Sequence, residues 1–366
     1  MSGILATHPA TASDRLRVLV CDDSLVIRNS VTRMLRAEAD FEVVAGVRNG
    51  QAAVDTVRTR TGASSIDVVV LDIEMPVMDG MSALPLLLEI DPSVRVIMAS
   101  TLTLRGASVT IEALALGAAD YIPKPSTTGT FNDDEFRADL VAKVRGLGRL
   151  RRREQLRRPT LVAPQATIGY SRRPGGRTAL LAIGSSTGGP QALFTFFRSL
   201  GPKLGIPVIL TQHMPASFVP LLADQIARIG GLTCSVAERG ELLRPDHVVI
   251  APGGMHLTIN ATPSGLAAGL SDAPPENYCR PSVDVMLRSV ADACGARAIV
   301  LMLTGMGRDG LAGTRAVVSA GGVALAQDED TSVVWGMPGA IAKEGLCHSV
   351  LPLARLANAV RELATP

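Results

Sequence analysis

The 366-residue chain reads as an α/β protein built on two doubly wound parallel sheets. Three observations predict that class. The length is long for one domain and comfortable for two. Hydrophobic residues make up 47% of the chain and aromatics only 3%, so the cores must be built from Ala, Val, Leu and Ile. In both halves, short apolar runs alternate with amphipathic segments, the pattern of strands joined by helices.

In the first half the runs are RVLVC, FEVVAGV, DVVVLDI, RVIMAS and DYIPKP, between residues 17 and 125. Helical patterns such as SLVIRNSVTRMLRAEA and MSALPLLLEI lie between them. Pro85 counts against the second of these unless it falls in a first turn. Five strands in this arrangement predict the sheet order 2-1-3-4-5. From about 148 to 177 the pattern dissolves into Arg, Pro and Gly, which reads as an interdomain linker whose first part can extend the preceding helix. Beyond it, ALLAIG, PVILTQ, HVVIAP and AIVLMLTG read as buried strands of a second, larger domain. The expected boundaries are 15–147, 148–177 and 178–366.

Charge and cysteine usage exclude several functions. The net charge of +2 lacks the basic excess of a general nucleic-acid binder. Residues 145–177 hold ten Arg against one Glu, yet they lack aromatic interleaving and a recognition helix. The five cysteines (Cys21, Cys234, Cys279, Cys294 and Cys347) form no CxxC pair, so reduced thiols in a cytoplasmic protein are expected, with no zinc framework. The opening MSGILATHPATASDR does not read as a signal peptide. No apolar run approaches the roughly 18 residues of a membrane span.

Asp22 and Asp23 follow the first strand and Asp72 ends the third. In the order 2-1-3-4-5 those strands are neighbours, so the three carboxylates meet at the carboxyl edge, where such sheets bind ligands. Like charges so placed call for a cation, and Mg2+ suits few carboxylates and several waters. Ser100 after the fourth strand supplies a hydroxyl and Lys124 after the fifth a point charge. Singly, an Asp at a strand end is often a turn residue; four strand ends in order point instead to a phosphoryl-accepting site. VLVCDDS, VVLDIEMPVMDG, IMAST and DYIPKP resemble the signature positions of a two-component receiver domain, a flavodoxin-like fold. The resemblance implies that Asp72 is the phosphoacceptor and that Asp22, Asp23 and the backbone carbonyl of Glu74 help hold Mg2+. It also implies that Ser100 and Lys124 contact the phosphoryl group, and that Tyr121 shifts with it.

In the second half GSSTGG joins a strand to a helix. It has no Lys for a P-loop, and Ser186 stands where a dinucleotide fingerprint has its second Gly. What remains is Gly184-x-Ser186-x-Gly188, the spacing of a nucleophilic serine on a tight turn. A serine there caps a helix as readily as it attacks a carbonyl. Of the five histidines, His8, His247 and His348 read as tail or structural residues, and His256 as a reserve base. His213, just past PVILTQ, lies at the same sheet edge as Ser186. LTGMGRDG adds Asp309 on a third strand-end loop, with Met306 beside it. Ser, His and Asp on three strand ends satisfy the logic of a triad. Their order is not that of α/β-hydrolases.

IGSSTGGPQAL, LTQHMPASF, APGGMHL, CRPSVDVM and LTGMGRDGLAG resemble, in that order, the catalytic domain of the CheB-type protein-glutamate methylesterases, here a larger Rossmann-like domain. That resemblance implies Ser186 as nucleophile, His213 as base, Asp309 as acid, and Thr187 and Met306 lining the site. Ser185 stands where a small Ala is common. It also implies demethylation of glutamyl esters and deamidation of glutamines on methyl-accepting chemotaxis receptors. A partner histidine kinase would be the phosphodonor, and the receiver would cover the active site until Asp72 is phosphorylated. The rival is a phosphorylation-dependent adaptor with a non-catalytic second domain; a small-molecule esterase is a further one. Cys279 reads as pocket lining, since no histidine is near it in sequence, and Trp335 as packing or pocket rim.

Overall fold

The computed structural model describes residues 15–101, 103–124, 133–156 and 177–365. His8 and residues 157–176 of the Arg-rich segment lie outside the described residues. The rest forms two compact units. In chain order the first elements are β1 (Leu16–Cys21), α1 (Leu25–Arg36), β2 (Phe41–Val47), α2 (Gly50–Thr59) and β3 (Val68–Asp72). They continue with α3 (Gly80–Ile90), β4 (Arg95–Ser100), α4 (Leu104–Ala115), β5 (Asp120–Pro123) and α5 (Asp133–Leu156). The five strands pair in parallel in the order β2-β1-β3-β4-β5, as predicted.

Local chemistry explains these elements. β3 reads VVVLD and is buried along its whole length, as expected of an interior parallel strand covered on both faces. Ser24, Asn49 and Asp79 each turn a side-chain oxygen onto an amide three residues on, at Ile27, Ala52 and Ser82, and so start α1, α2 and α3. Pro85 is the sixth residue of α3, past its first turn. The helix nonetheless runs on to Ile90, because Ala83, Leu84 and Leu87 are buried around the proline and tertiary packing outweighs the lost N–H.

α5 continues to Leu156, into the segment read as a linker. What holds this polar end is an ion network rather than an apolar stripe. Arg151 is 1% exposed and donates to Asp67 at 2.9 Å, Asp91 at 2.6 Å, Ser93 at 3.1 Å and Ser65 at 3.2 Å. Arg152 adds two further bonds to Asp67, at 2.8 and 3.2 Å.

The second unit contains β6 (Leu180–Ser185), α6 (Gly189–Leu200), β7 (Val208–Gln212), α7 (Val219–Gly230), β8 (Thr233–Val236) and β9 (His247–Ile250). The hairpin β10 (His256–Thr262) and β11 (Gly265–Ser271) follows, then α8 (Val283–Cys294), β12 (Ala298–Met302), α9 (Leu311–Ser319) and β13 (Val323–Gln327). α10 (Met337–Lys343), β14 (Ser349–Leu351) and α11 (Leu353–Ala364) complete it. Seven strands pair in parallel in the order β14-β13-β12-β6-β7-β9-β8. The chain moves from β6 outward to β7 on one side and returns to β12 on the other. The crevice at the carboxyl end of β6 is therefore a topological switch point, where open α/β sheets bind ligands. Among the described residues no helix is long and apolar enough to cross a membrane.

Removing one side of a buried ion network leaves uncompensated charge, at a cost of about 3–5 kcal/mol. Arg151→Ala is therefore expected to lower the stability of the first unit by about that amount, read by amide exchange at β3 and β4 in urea. A loss below about 1 kcal/mol would show that the network contributes no more than a surface pair.

Candidate active site

Three loops leave the carboxyl edge of the second sheet around β6. The register pairs Ser185 of β6 with Gln212 of β7, so Ser186 and His213 each stand one residue beyond a paired position. The Ser185 hydroxyl donates to Gln212 Oε1 at 2.6 Å, and Gln212 Nε2 donates to the carbonyls of Ser186 and His213, both at 3.0 Å. This buried clamp fixes the two loops to one another, and it gives the extra hydroxyl of Ser185 a structural use. Ser186 N donates to Thr304 O at 3.0 Å, which ties the same turn to the loop after β12. Gly188 has φ 73°, the left-handed region, and a Cβ on Gly189 would lie 2.0 Å from Gln212 Oε1. The glycines are thus required by a backbone turn and by the clamp.

His213 Nε2 lies 2.8 Å from Asp309 Oδ2. Asp309 is 2% exposed and sits at the N-terminus of α8. It accepts from the amides of Val283 (2.7 Å), Asp284 (3.1 Å) and Gly310 (3.0 Å). The Ser282 hydroxyl (2.8 Å) and Asn277 Nδ2 (3.1 Å) donate to it as well. Burial pushes its carboxyl up, but the His213 hydrogen bond and charge, with the Val283 amide and Ser282 hydroxyl, outweigh that and bring it to about 2. Burial pushes the His213 ring down; the bond to Asp309, with Cys279, overcomes this and raises it to about 9. Because Nε2 faces the carboxylate, Nδ1 is the ring nitrogen left to exchange protons.

Nδ1 lies 3.6 Å from Cys279 Sγ. Sequence reasoning left Cys279 as lining because it is 66 residues from His213; the loop before α8 brings it back. No hydrogen bond joins the Ser186 hydroxyl to His213 among the described residues. The amides of Thr187 and Met306 have no partner there either. Thr187 is buried, whereas Met306 is 43% exposed. His256, the reserve base, is fully buried and structural: Nδ1 accepts from Ser282 N at 3.1 Å and Nε2 bonds Pro274 O at 3.2 Å. Trp335 is half-buried and donates to Gln327 O.

In the first unit, Asp22 follows β1 and Asp72 ends β3, one residue beyond the pair Cys21 and Leu71. One carboxylate oxygen each of Asp22, Asp23 and Asp72 lie within 4.8 Å of one another. Lys124 Nζ is 2.6 Å from Asp72 Oδ1 and 2.9 Å from Asp22 Oδ2. Asp72 Oδ2 is buried without a hydrogen-bond partner, an acceptor left over for a cation. Burial raises the Asp72 carboxyl to about 6 against the pull of Lys124, which leaves it mostly ionised at neutral pH. Ser100 is buried at the end of β4, and Lys124 N donates to its carbonyl at 2.7 Å. Tyr121 is buried in β5, with Lys143 Nζ 4.9 Å from its ring centroid.

Residues 181–360 match the family model of the CheB methylesterase, and residues 18–133 match that of the response regulator receiver domain. A protein-glutamate methylesterase/protein-glutamine glutaminase 1 of Paramagnetospirillum magneticum is 46% identical, over 97% of this chain and 98% of its own. The chain belongs to the CheB methylesterase family. A second member, from Azospirillum brasilense, is 45% identical over 98% of this chain and 96% of its own length. The crystal structure of the Thermotoga maritima CheB methylesterase catalytic domain covers 51% of this chain and 100% of that one, with 36% identity and a TM-score of 0.50. Ser186, His213 and Asp309 fall inside the CheB methylesterase match, and Asp22, Asp72, Ser100 and Lys124 inside the receiver match.

The His213–Asp309 pair carries a pH signature. His213 is raised above 6.5, so its contribution to stability is complete below 6.5 and is lost as pH rises through about 9. Asp309 is lowered from 3.8, so its contribution is present above 3.8 and is lost as pH falls through about 2. An NMR titration of the His213 imidazole is expected to show a midpoint near 9; a midpoint at or below 6.5 would mean that burial outweighs the carboxylate.

Proposed function

We propose that the chain is a phosphorylation-controlled protein-glutamate methylesterase, and glutaminase, in which Ser186 is the nucleophile, His213 the base and Asp309 its orienting carboxylate. The observation that carries this is the 2.8 Å contact of His213 Nε2 with Asp309 at the switch point where Ser186 follows β6. With Nε2–H held, the neutral ring presents Nδ1 as acceptor. Nδ1 takes the Ser186 proton as Oγ attacks the side-chain carbonyl of a glutamyl methyl ester. The free amides of Thr187 and Met306 receive the developing oxyanion. The imidazolium returns its proton to the leaving methoxide, and methanol departs. Water then gives a proton to Nδ1 and attacks the acyl-enzyme, releasing glutamate and restoring Ser186. With a glutamine the leaving group is ammonia. Only the neutral ring acts as base, so the rate rises with pH toward the His213 midpoint.

The substrates would be methyl-accepting chemotaxis receptors. Asp72 would accept a phosphoryl group from a histidine kinase, with Ser100 and Lys124 contacting the phosphoryl oxygens and Tyr121 shifting in response. Asp22, Asp23, Asp72 and the Glu74 backbone carbonyl would hold Mg2+. Bound there, the ion offsets repulsion between the carboxylates and the incoming phosphoryl group. Phosphorylation adds about −1.5 to −2 charge beside Lys124, enough to bias a two-state surface. Family membership does not favour the adaptor alternative.

Methanol release from methylated receptor tests this reading. The intact chain is expected to release methanol faster with a small phosphodonor and Mg2+. Ser186→Ala should lose at least about a thousandfold of that rate. Release that persists in Ser186→Ala would remove Ser186 as nucleophile, and a rate indifferent to phosphodonor would remove the switch.

A further inference from the structure

Among the described residues, two clusters of at least three metal-ligating side chains occur: Asp22–Asp23–Asp72, and His213–Cys279–Asp309. The first offers only carboxylates and suits a hard cation. The second adds sulfur and imidazole nitrogen, the donors of borderline-soft ions. We propose that Cys279 Sγ and His213 Nδ1 bind a thiophilic divalent cation of the Zn2+ class, and that this cation blocks the esterase by occupying the base nitrogen.

The geometry suits such an ion. A tetrahedral Zn2+ with bonds of about 2.3 Å to sulfur and 2.0 Å to nitrogen separates those donors by about 3.5 Å. Sγ and Nδ1 are 3.6 Å apart. The opposite ring nitrogen already faces Asp309 at 2.8 Å, the carboxylate–histidine arrangement that orients metal-bound imidazoles. The Asn277 carbonyl, 3.3 Å from Sγ, is a further oxygen at the site.

The thiol is also held in place. Glu276 and Cys279 exchange two backbone hydrogen bonds, at 3.1 and 2.9 Å. Asn277 Nδ2 bonds Asp284 and Asp309, and Glu276 pairs with Arg288. Cys279 and His213 each keep part of their surface exposed, whereas Cys21, Cys294 and Cys347 are buried, and the other part-exposed cysteine, Cys234, stands in the edge strand β8 rather than beside His213. On binding, the thiol proton and any proton on Nδ1 leave to solvent and the two donors take the cation. Nδ1 then cannot accept the Ser186 proton. The inhibitory half rests on His213 being the base; the binding half does not.

Co2+ serves as the probe, since a thiolate ligand gives it a near-ultraviolet charge-transfer band. The intact chain, Ser186→Ala and Cys279→Ser are titrated with Co2+ under saturating Mg2+, with circular dichroism confirming the fold. Zn2+ inhibition of methanol release is then measured in the intact chain and Cys279→Ser, each relative to its own metal-free rate. The band is expected in the intact chain and in Ser186→Ala, and absent in Cys279→Ser. Half-inhibition of Cys279→Ser should need at least about tenfold more Zn2+, one ligand's worth of affinity. No band in the intact chain, a band that survives in Cys279→Ser, or unchanged half-inhibition would overturn the proposal. A Cys279-dependent band without Zn2+ inhibition would overturn the inhibitory half and count against His213 as base. Failure of the function reading alone appears separately, as a Cys279-dependent band in a chain that releases no methanol at any metal concentration.

Discussion

The Asp309 carboxylate at the N-terminus of α8 is the interaction on which the second unit's site depends. Five protein donors besides His213 converge on it: three backbone amides, the Ser282 hydroxyl and the Asn277 amide. They come from the loop after β12, from the first turn of α8 and from the loop that precedes it. A charge desolvated to this degree is tolerable only because so many dipoles point at it, with the helix terminus among them. The same bonds fix His213 from one side, while the Gln212 clamp fixes its backbone from the other. The orientation of the imidazole is therefore set by folding, before any substrate arrives.

The first unit solves a related problem by a different balance. Its carboxylates Asp22 and Asp72 are held apart from water with one lysine between them, and one Asp72 oxygen is left without a partner. Where Asp309 is saturated and locked into its charged form, Asp72 is undersaturated and raised to about 6. A saturated carboxylate orients a neighbour; an undersaturated one keeps a lone pair for an incoming group. Asp72 ends β3 and Asp309 lies on the loop that follows β12, both on the carboxyl side of a parallel sheet, where such sheets leave polar groups converging.

Except for β13 (VALAQ), whose two alanines and closing Gln thin out the apolar run, the interior strands were legible because parallel strands buried on both faces are continuous apolar runs, as in VVVLD and AIVLM. β8 (TCSV) and β14 (SVL) were not: they are short, partly exposed edge strands with no such run. The hairpin β10–β11 is rich in Gly, Ala and Thr and blurs the alternation that marks antiparallel pairs. The end of α5 looked like linker because ion pairs around Arg151 replace the apolar stripe that periodicity detects. Strand-end logic put Ser186, His213 and Asp309 at one sheet edge. The residues that surround them, Gln212, Asn277, Ser282 and Cys279, carried no comparable signal, since each acts through a contact distant in sequence.

If the saturated carboxylate sets the ring's tautomer, removing its charge while keeping its shape should disable the site without unfolding it. Asp309→Asn is the direct measurement, made as steady-state methanol release with circular dichroism as the control. The expected result is a fall in kcat of about 10³–10⁴ with KM little changed. A kcat within about tenfold of the intact chain, on an intact fold, would contradict the claim that this carboxylate organises the chemistry.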